Sequence, residues 1–363
     1  MQTNPGPDIL TETSGSAGDE GTEFGDPVAV TIKDVAERAG VSRSAVSRAF
    51  TEGASVSVKT RRKVKLAADA LGYSPNLLAG SLTTRRTKLI GLISNNFHNP
   101  VFLQVFDIFT RGLQDRGLRP LLVNLVHDSP PHETVRLLKQ YSVDGVIVAS
   151  STLPPNYGLA FRNAGMPVVH CFGRATSAPE VPVVGIDNRE CGRMAAAALA
   201  SRGYRRVAFL GGPQIATSTQ DRLAGFRSEV ERHPGISASY SFAEAYSFRA
   251  GRTEMARLLA DTPAEAYFCG DDVLSIGALS AVRSIGLDVP GDIGIIGLND
   301  MEIAGWENID LTTIHQPIPQ IIASSIDLIV AMLSEPDRYP ETRLFPCRII
   351  ERGTLRPAGT SLA

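Results

Sequence analysis

The sequence predicts a small all-α module followed by a larger α/β domain of two similar lobes, and three observations lead there. Between residues 31 and 71, apolar side chains recur at helical spacing on three short stretches. From residue 89 onward, short β-branched runs alternate with helical stretches of roughly 10–15 residues, the pattern of βαβ units and a parallel sheet. Charge divides the chain at the same place. Residues 31–88 hold 12 Lys+Arg against 4 Asp+Glu, a local +8 in a chain whose formal total is −2. Such segregation is the electrostatic footprint of a nucleic-acid contact rather than of an ordinary solvated helix face.

At 363 residues the chain exceeds the size at which one core keeps growing, and its 43% hydrophobic content suffices for several. Residues 1–29 hold six carboxylates, no Lys or Arg and no apolar period, so a disordered acidic arm is expected. No apolar run reaches the roughly 20 residues that span a bilayer, and the amino terminus lacks the basic and apolar regions of a secretory signal. A cytoplasmic protein without membrane contact is expected. Cys171, Cys191, Cys269 and Cys347 lack metal-ligand spacing and read as reduced, small hydrophobes. Neither a metal nor a cofactor is expected.

The first helix opens at Thr31, with Asp34 three residues on in capping-box form. Ile32, Val35, Ala36 and Ala39 make its apolar stripe, and Gly40 supplies a turn. The second runs from about Ser42, turning Ala45, Val46, Ala49 and Phe50 inward and leaving Arg43, Ser44, Ser47 and Arg48 outside. The third covers about 58–71, with Val64, Ala67, Ala68 and Leu71 inside and Lys59, Arg61, Arg62, Lys63 and Lys65 outside. Two short helices around a glycine turn, the second presenting Arg and Ser, form a helix-turn-helix pattern over residues 30–74. The start of such a second helix reaches base edges, which assigns Arg43 and Ser44 to base contact. Ser47, Lys59 and Arg61 are assigned to phosphates, which position without reading sequence.

The runs IKDVAERAGVSRSAVSRAF and VSVKTRRKVKLAADALGYSPN resemble the amino-terminal module of the lactose-repressor (LacI/GalR) family of transcriptional regulators. They share the elements D-V-A-x-x-A-G-V-S, V-S-R and L-G-Y-x-P-N. The resemblance implies that Arg48 reads a base, that Thr31 joins the DNA-facing set, and that residues 75–88 hold a hinge helix ordered by DNA. In that segment Asn76, Ala79 and Leu82 would face the minor groove, with Leu82 as an apolar wedge between base steps. Gly80 departs from the family pattern, standing where many relatives carry a polar or basic side chain, and should loosen the helix.

The α/β part covers residues 89–357. Its first set of strands is expected at 89–94, 120–125, 145–149, 167–171 and 183–186. A second set is expected at 207–210, 239–243, 266–269, 293–297 and 344–350. The resemblance continues through NPVF (99–102), VGIDN (184–188), RLAGF (222–226), FCGDD (268–272), IGLND (296–300), LTTIHQP (311–317) and IERGTLRP (350–357). It extends to periplasmic sugar-binding proteins and implies their doubly wound, two-lobed fold, with a ligand cleft beyond the carboxyl ends of the strands.

By position, Arg222 matches the family's effector-binding arginine and Asp271 an effector-contacting polar position. Asn299 stands where relatives often carry Asp. Phe102 and Phe172 are candidates for the aromatic wall of the cleft. An Arg fork with carboxylate and amide partners suits vicinal hydroxyls or a carboxylate, hence a sugar or sugar acid. Other readings stay open: Arg222 could pair with Asp221 or Glu231, Asp187 and Asp272 could be helix N-caps, and Phe172 could be a buried aromatic without a ligand.

Enzyme signatures are missing: there is no G-x-S-x-G elbow, no phosphate-binding loop and no G-x-G-x-x-G after a strand. The expectation is a non-enzymatic transcriptional regulator, a repressor, acting as a homodimer on pseudo-palindromic double-stranded operator DNA under a sugar-like effector. The alternative, a solute-binding protein without regulatory role, predicts a signal peptide and no helix-turn-helix. The tail, 358–363, is too short and polar for tetramer-forming leucine heptads.

Overall fold

The computed structural model describes residues 30–51, 53–74, 86–125, 130–335 and 338–359. It divides into two units, Met1–Thr84 and Arg85–Ala363. The acidic arm and the hinge positions Asn76, Ala79, Gly80 and Leu82 lie outside the described residues.

The first unit is built from α1 (Ile32–Ala39), α2 (Arg43–Phe50) and α3 (Val58–Leu71). Each starts where a polar side chain satisfies an orphan donor. The Asp34 carboxylate accepts the Thr31 N–H at 2.8 Å, Ser42 Oγ accepts from Ala45 N–H and Ser57 Oγ from Thr60 N–H. The Thr31 hydrogen bonds hold the Asp34 carboxyl below its ordinary range. Gly40 and Gly72, at φ 65° and 66°, end α1 and α3 in the left-handed conformation that glycine adopts without steric cost.

Val35, Val46 and Val64 are fully buried among alanines at the centre of the three helices. Side chains this small let the helices approach closely but supply little burial each, about 0.8 kcal/mol per CH₂. Polar ties therefore matter more here. Arg61, on α3, donates through Nη1 to the Ala49 carbonyl at 2.6 Å and through Nη2 to the Ala54 carbonyl at 3.1 Å. It clasps the last turn of α2 and the loop that follows.

The second unit holds two six-stranded sheets. The first lobe contains β1 (Leu89–Ser94), β2 (Arg119–Asn124), β3 (Gly145–Ala149), β4 (Val168–Cys171), β5 (Val183–Gly185) and β11 (Thr342–Leu344), ordered β11-β5-β4-β3-β1-β2. All its pairings are parallel. The second lobe contains β6 (Arg206–Gly211), β7 (Ser237–Phe242), β8 (Ala266–Cys269), β9 (Gly294–Asn299), β10 (Thr313–His315) and β12 (Arg348–Ile350), ordered β12-β10-β9-β8-β6-β7. There only β12 runs antiparallel, against β10. Inner strands such as β3, β4, β8 and β9 are buried along their whole length, whereas the edge strands β2 and β7 are partly exposed. Near-continuous apolar runs inside and mixed runs at the edges are what a sheet covered on both faces requires.

Helices α4 (Val101–Asp115), α5 (Pro131–Gln140) and α6 (Pro155–Asn163) connect the early strands, and α7 (Asn188–Ser201), α8 (Thr217–Val230), α9 (Phe248–Leu259) and α10 (Asp272–Ser284) follow. The chain passes between lobes three times: from β5 into α7, from β10 into α11 (Ile318–Ser334), and from β11 into β12. Helix α11 packs back onto α4, β3 and β4 of the first lobe. Two expectations change here. The run 344–350 is not one strand but the end of β11 and all of β12, in different sheets, and residues 313–315 form a strand where none was expected.

Candidate functional site

Residues 31–65 place a set of polar side chains on the outside of the first unit. Thr31, Arg43, Ser44, Ser47, Arg48, Lys59, Arg62, Lys63 and Lys65 are exposed. Arg43 and Ser44 open α2 just after its Ser42 cap, Arg48 follows one turn after Ser44, and all three are exposed while Val46 and Ala49 are buried. Arg61 differs from its neighbours. It is half-buried, and its guanidinium is engaged by two backbone carbonyls, so its first task is to hold α2 rather than to meet a phosphate.

The second site forms between the two lobes, where strand ends converge. All five cleft candidates, Phe102, Phe172, Arg222, Asp271 and Asn299, line one cavity. Their companions include Asn99, Ser151, Asn188 and Gln316, which sequence reasoning did not single out although three of them lie inside the motifs quoted above. The signal was available: each follows the end of a strand or closes a crossover, the place where such sheets put ligand contacts.

Two polar groups organise the cavity. Arg222, 4% exposed, donates through Nε to Asn188 Oδ1 at 2.8 Å, and through Nη1 to the Gly270 carbonyl. It pairs with neither Asp221 nor Glu231. Asp221 is occupied by Arg174 at 2.8 Å and Arg189 at 3.5 Å. The position of Arg222 depends on close helix packing. A Cβ at Gly192 of α7 would collide with the Arg222 carbonyl, and one at Gly225 of α8 with the Arg189 carbonyl. The two helices thus touch backbone to backbone, which brings Arg222 beside Asn188.

Asp271 is the second organiser. Its Oδ1 accepts the Val273 N–H at 2.7 Å and caps α10, while Oδ2 accepts from Asn99 at 2.9 Å and from Asn299 at 2.8 Å. The N-cap is therefore Asp271 and not Asp272. Burial pushes the Asp271 carboxyl above its ordinary value, against the hydrogen bonds and the Arg222 charge. Asp272, fully buried, instead accepts from Thr313 Oγ1 at 2.5 Å and Met301 N–H at 2.8 Å, and burial raises it to about 7. Asp187 does cap its helix, accepting from Arg189 and Glu190 N–H.

Phe102 and Phe172 meet edge to face, with ring centroids 6.4 Å apart, and give the cavity an apolar wall. Backbone strain gathers at the same place: Phe172, Asn299 and Asp300 have φ of 65°, 129° and 58°. Left-handed conformations in non-glycine residues persist only where surroundings hold them. Here the Phe172 N–H bonds to the Val184 carbonyl at 2.7 Å. Asp300 is gripped by His315 Nδ1 at 2.9 Å and Arg352 Nη2 at 2.7 Å. Among the described residues, no cluster of His, Cys, Asp and Glu could hold a metal ion, and no helix is long and apolar enough to cross a membrane.

The model of bacterial regulatory proteins of the lacI family matches residues 31–76, and that of the periplasmic binding protein-like domain matches residues 196–355. The chain is 31% identical to the HTH-type transcriptional regulator DegA of Bacillus subtilis (strain 168), over 80% of this chain and 88% of the relative. The structure is similar to that of the lac repressor dimer bound to operator and the anti-inducer ONPF. That match has a TM-score of 0.80 and 26% identity and covers 92% of this chain and all of the other. It is also similar to the transcriptional regulator CelR in complex with cellobiose, with a TM-score of 0.67, 28% identity and coverage of 90% and 99%. Helix-turn-helix unit, two-lobed α/β unit and these likenesses together establish that the chain belongs to the lacI family of bacterial transcriptional regulators.

Proposed function

We propose that this regulator is a repressor that binds a pseudo-palindromic operator as a homodimer and senses a sugar or sugar acid between its lobes. The observation that carries the ligand reading is the pairing of Arg222 and Asp271 in one cavity, each held by carboxamides, opposite an aromatic wall. Carboxamides, a guanidinium and a carboxylate offer alternating donors and acceptors to vicinal hydroxyls, and Phe102 and Phe172 cover the apolar face of a ring. Asn299, where many relatives carry Asp, leaves the site with one formal negative charge balanced by one positive, which favours neutral polyols and tolerates a carboxylate.

On the DNA side, Arg43, Ser44 and Arg48 read base edges, with Arg48 bidentate to a guanine. Thr31, Ser47 and Lys59 meet the backbone. Asn76, Ala79 and Leu82 belong to the hinge expected from the sequence over residues 75–88, through which effector occupancy would alter DNA affinity. The protein carries out no catalysis in this reading and works in the cytoplasm. The experiment is a thermal-shift panel of neutral pentoses and hexoses, sugar acids and nucleosides, followed by electrophoretic mobility shift on an operator selected from a random duplex library. Stabilisation by a sugar that also changes operator affinity is expected; stabilisation by nucleosides alone would overturn the ligand class.

A further inference from the structure

We propose that Arg174 is the latch of the cleft, a positioning residue that holds the lobes closed and sets how fast a ligand enters and leaves the cavity. The polar side chains that line the cavity, Asn99, Asn188, Arg222, Asp271, Asn299 and Gln316, are each no more than 8% exposed. A solute therefore reaches Arg222 only when the lobes part, and the contacts that join them govern its access. Asn99 and Asp271 join them inside the cavity. Arg174 joins them beside it, at an adjoining recess that shares Ile186 and Asn188 with the cavity. It stands on the loop from β4 to β5 in the first lobe, and its partners all lie on the opening turns of α8 in the second. Nε donates to Asp221 Oδ2 at 2.8 Å, and Nη2 donates to the Thr217 carbonyl and to Gln220 Oε1, both at 3.0 Å.

Both halves of the latch are held ready. In the second lobe the buried Asp221 is also met by Arg189 of α7 at 3.5 Å, so its carboxylate stays in place when Arg174 lets go. In the first lobe the buried ring of His170 lies under Gly173, where a Cβ would collide with it, and Nε2–H donates to the Ser150 carbonyl at 3.1 Å. His170 thereby ties the loop that carries Arg174 to the loop that follows β3. That second loop makes its own crossing: the Ser151 carbonyl accepts from Thr217 Oγ1 at 3.2 Å and from the Ser218 N–H at 3.3 Å. Two loops fixed to each other thus grip the first turn of α8. Arg174 is the stronger grip, because a guanidinium bonded to a carboxylate outweighs longer neutral contacts. The side chains of the pair are only 28% and 12% exposed, so solvent screens it in part. Arg222 follows Asp221 directly on α8, so release of the latch frees the helix that carries the ligand arginine.

The consequence for ligand entry rests on the effector reading above; the latch itself does not, and it is tested first without a ligand. The Ser218 N–H has its acceptor in the other lobe, so its hydrogen exchange reports the parting of the lobes. In full-length Arg174→Ala, exchange at Ser218 should quicken by at least about tenfold while the amides of β6 keep their wild-type protection. Arg174→Lys, which keeps the charge but not the fork, should fall between the two. Unchanged exchange at Ser218 overturns the latch, and so does an equal quickening in β6, which would make Arg174 a general stabiliser. Stopped-flow rates are then measured with the sugar found by thermal shift. Association and dissociation should both rise by at least about fivefold in Arg174→Ala, because entry no longer waits for the latch to open. A faster dissociation with unchanged association overturns the gating role. Should no sugar bind either protein, the effector reading fails, and the exchange at Ser218 still decides the latch.

Discussion

Asn99 donates to Asp271 across the cleft at 2.9 Å, from the loop that opens α4 in one lobe to the N-cap of α10 in the other. The same carboxylate also takes the Asn299 amide, so the cavity lining, the helix cap and the contact between lobes share one group. Asp271→Ala should therefore lower stability by about 1 kcal/mol through the lost cap and weaken effector binding by tenfold or more, since hydrogen bonds to charged groups are worth about 1.5–3 kcal/mol. Asn99→Ala should weaken effector binding too, with a smaller loss of stability, since it gives up one hydrogen bond to Asp271 and one longer contact to the Val101 N–H. Calorimetry with the sugar identified by thermal shift checks both, and equal losses of stability in the two variants would contradict the division.

Arg48, proposed to read a base, and Arg61, which ties α2 to the loop after it, should respond differently to substitution. Arg48→Ala should cost about 1–3 kcal/mol and relax one base position. Arg61→Ala should loosen the end of α2, because the Ala49 and Ala54 carbonyls lose their partner. Operator discrimination then falls at several positions together, while the slope of log affinity against log salt stays nearly constant. Titrations at several salt concentrations decide it; a slope reduced by about one unit would assign Arg61 to a phosphate.

Asp272 gives stability a pH dependence of defined sign. Its folded value, about 7, lies above the ordinary 3.8, so the folded protein holds a proton that the unfolded chain releases. This contribution is complete below about pH 4, shrinks as pH rises and is lost above about 7. Asp272→Asn should flatten the unfolding free energy between those limits, and lower it at the acid end because one acceptor for Thr313 or Met301 is gone. Urea unfolding from pH 4 to 8 tests this, and an unchanged slope would remove Asp272 as its source.

Gly225→Ala should disturb the site from behind. The added methyl meets the Arg189 carbonyl, forcing α7 and α8 apart, at a cost of about 1–3 kcal/mol. The shift should move Arg222 off Asn188 and Gly270. Effector affinity should drop even at temperatures where the variant is fully folded by circular dichroism.

The sequence carried much of this. Local signals sufficed for the three helices, because Ser42, Ser57, Gly40 and Gly72 mark their ends by side-chain chemistry alone. Nine of the twelve strands among the described residues were legible as short apolar runs. What escaped depends on distant partners. Residues 313–315 lie between β9 and β12, and nothing local in LTTIHQP states that pairing. The run 344–350 reads as one strand because composition does not reveal that Phe345 to Cys347 cross between lobes. Likewise FCGDD offers two aspartates at a helix start, and only the backbone angle decides that Asp271 caps while Asp272 turns into the core. Arg61 looked like its basic neighbours until the Ala49 carbonyl was found under it.

In the proposed function the cleft and the DNA surface are coupled, and coupling between binding sites is reciprocal. The most direct measurement is calorimetric affinity for the stabilising sugar, taken with the full-length protein alone and saturated with its selected operator. The two dissociation constants should differ by about 5- to 150-fold, by the same factor that the sugar changes operator affinity. Identical constants with and without operator would contradict the coupling.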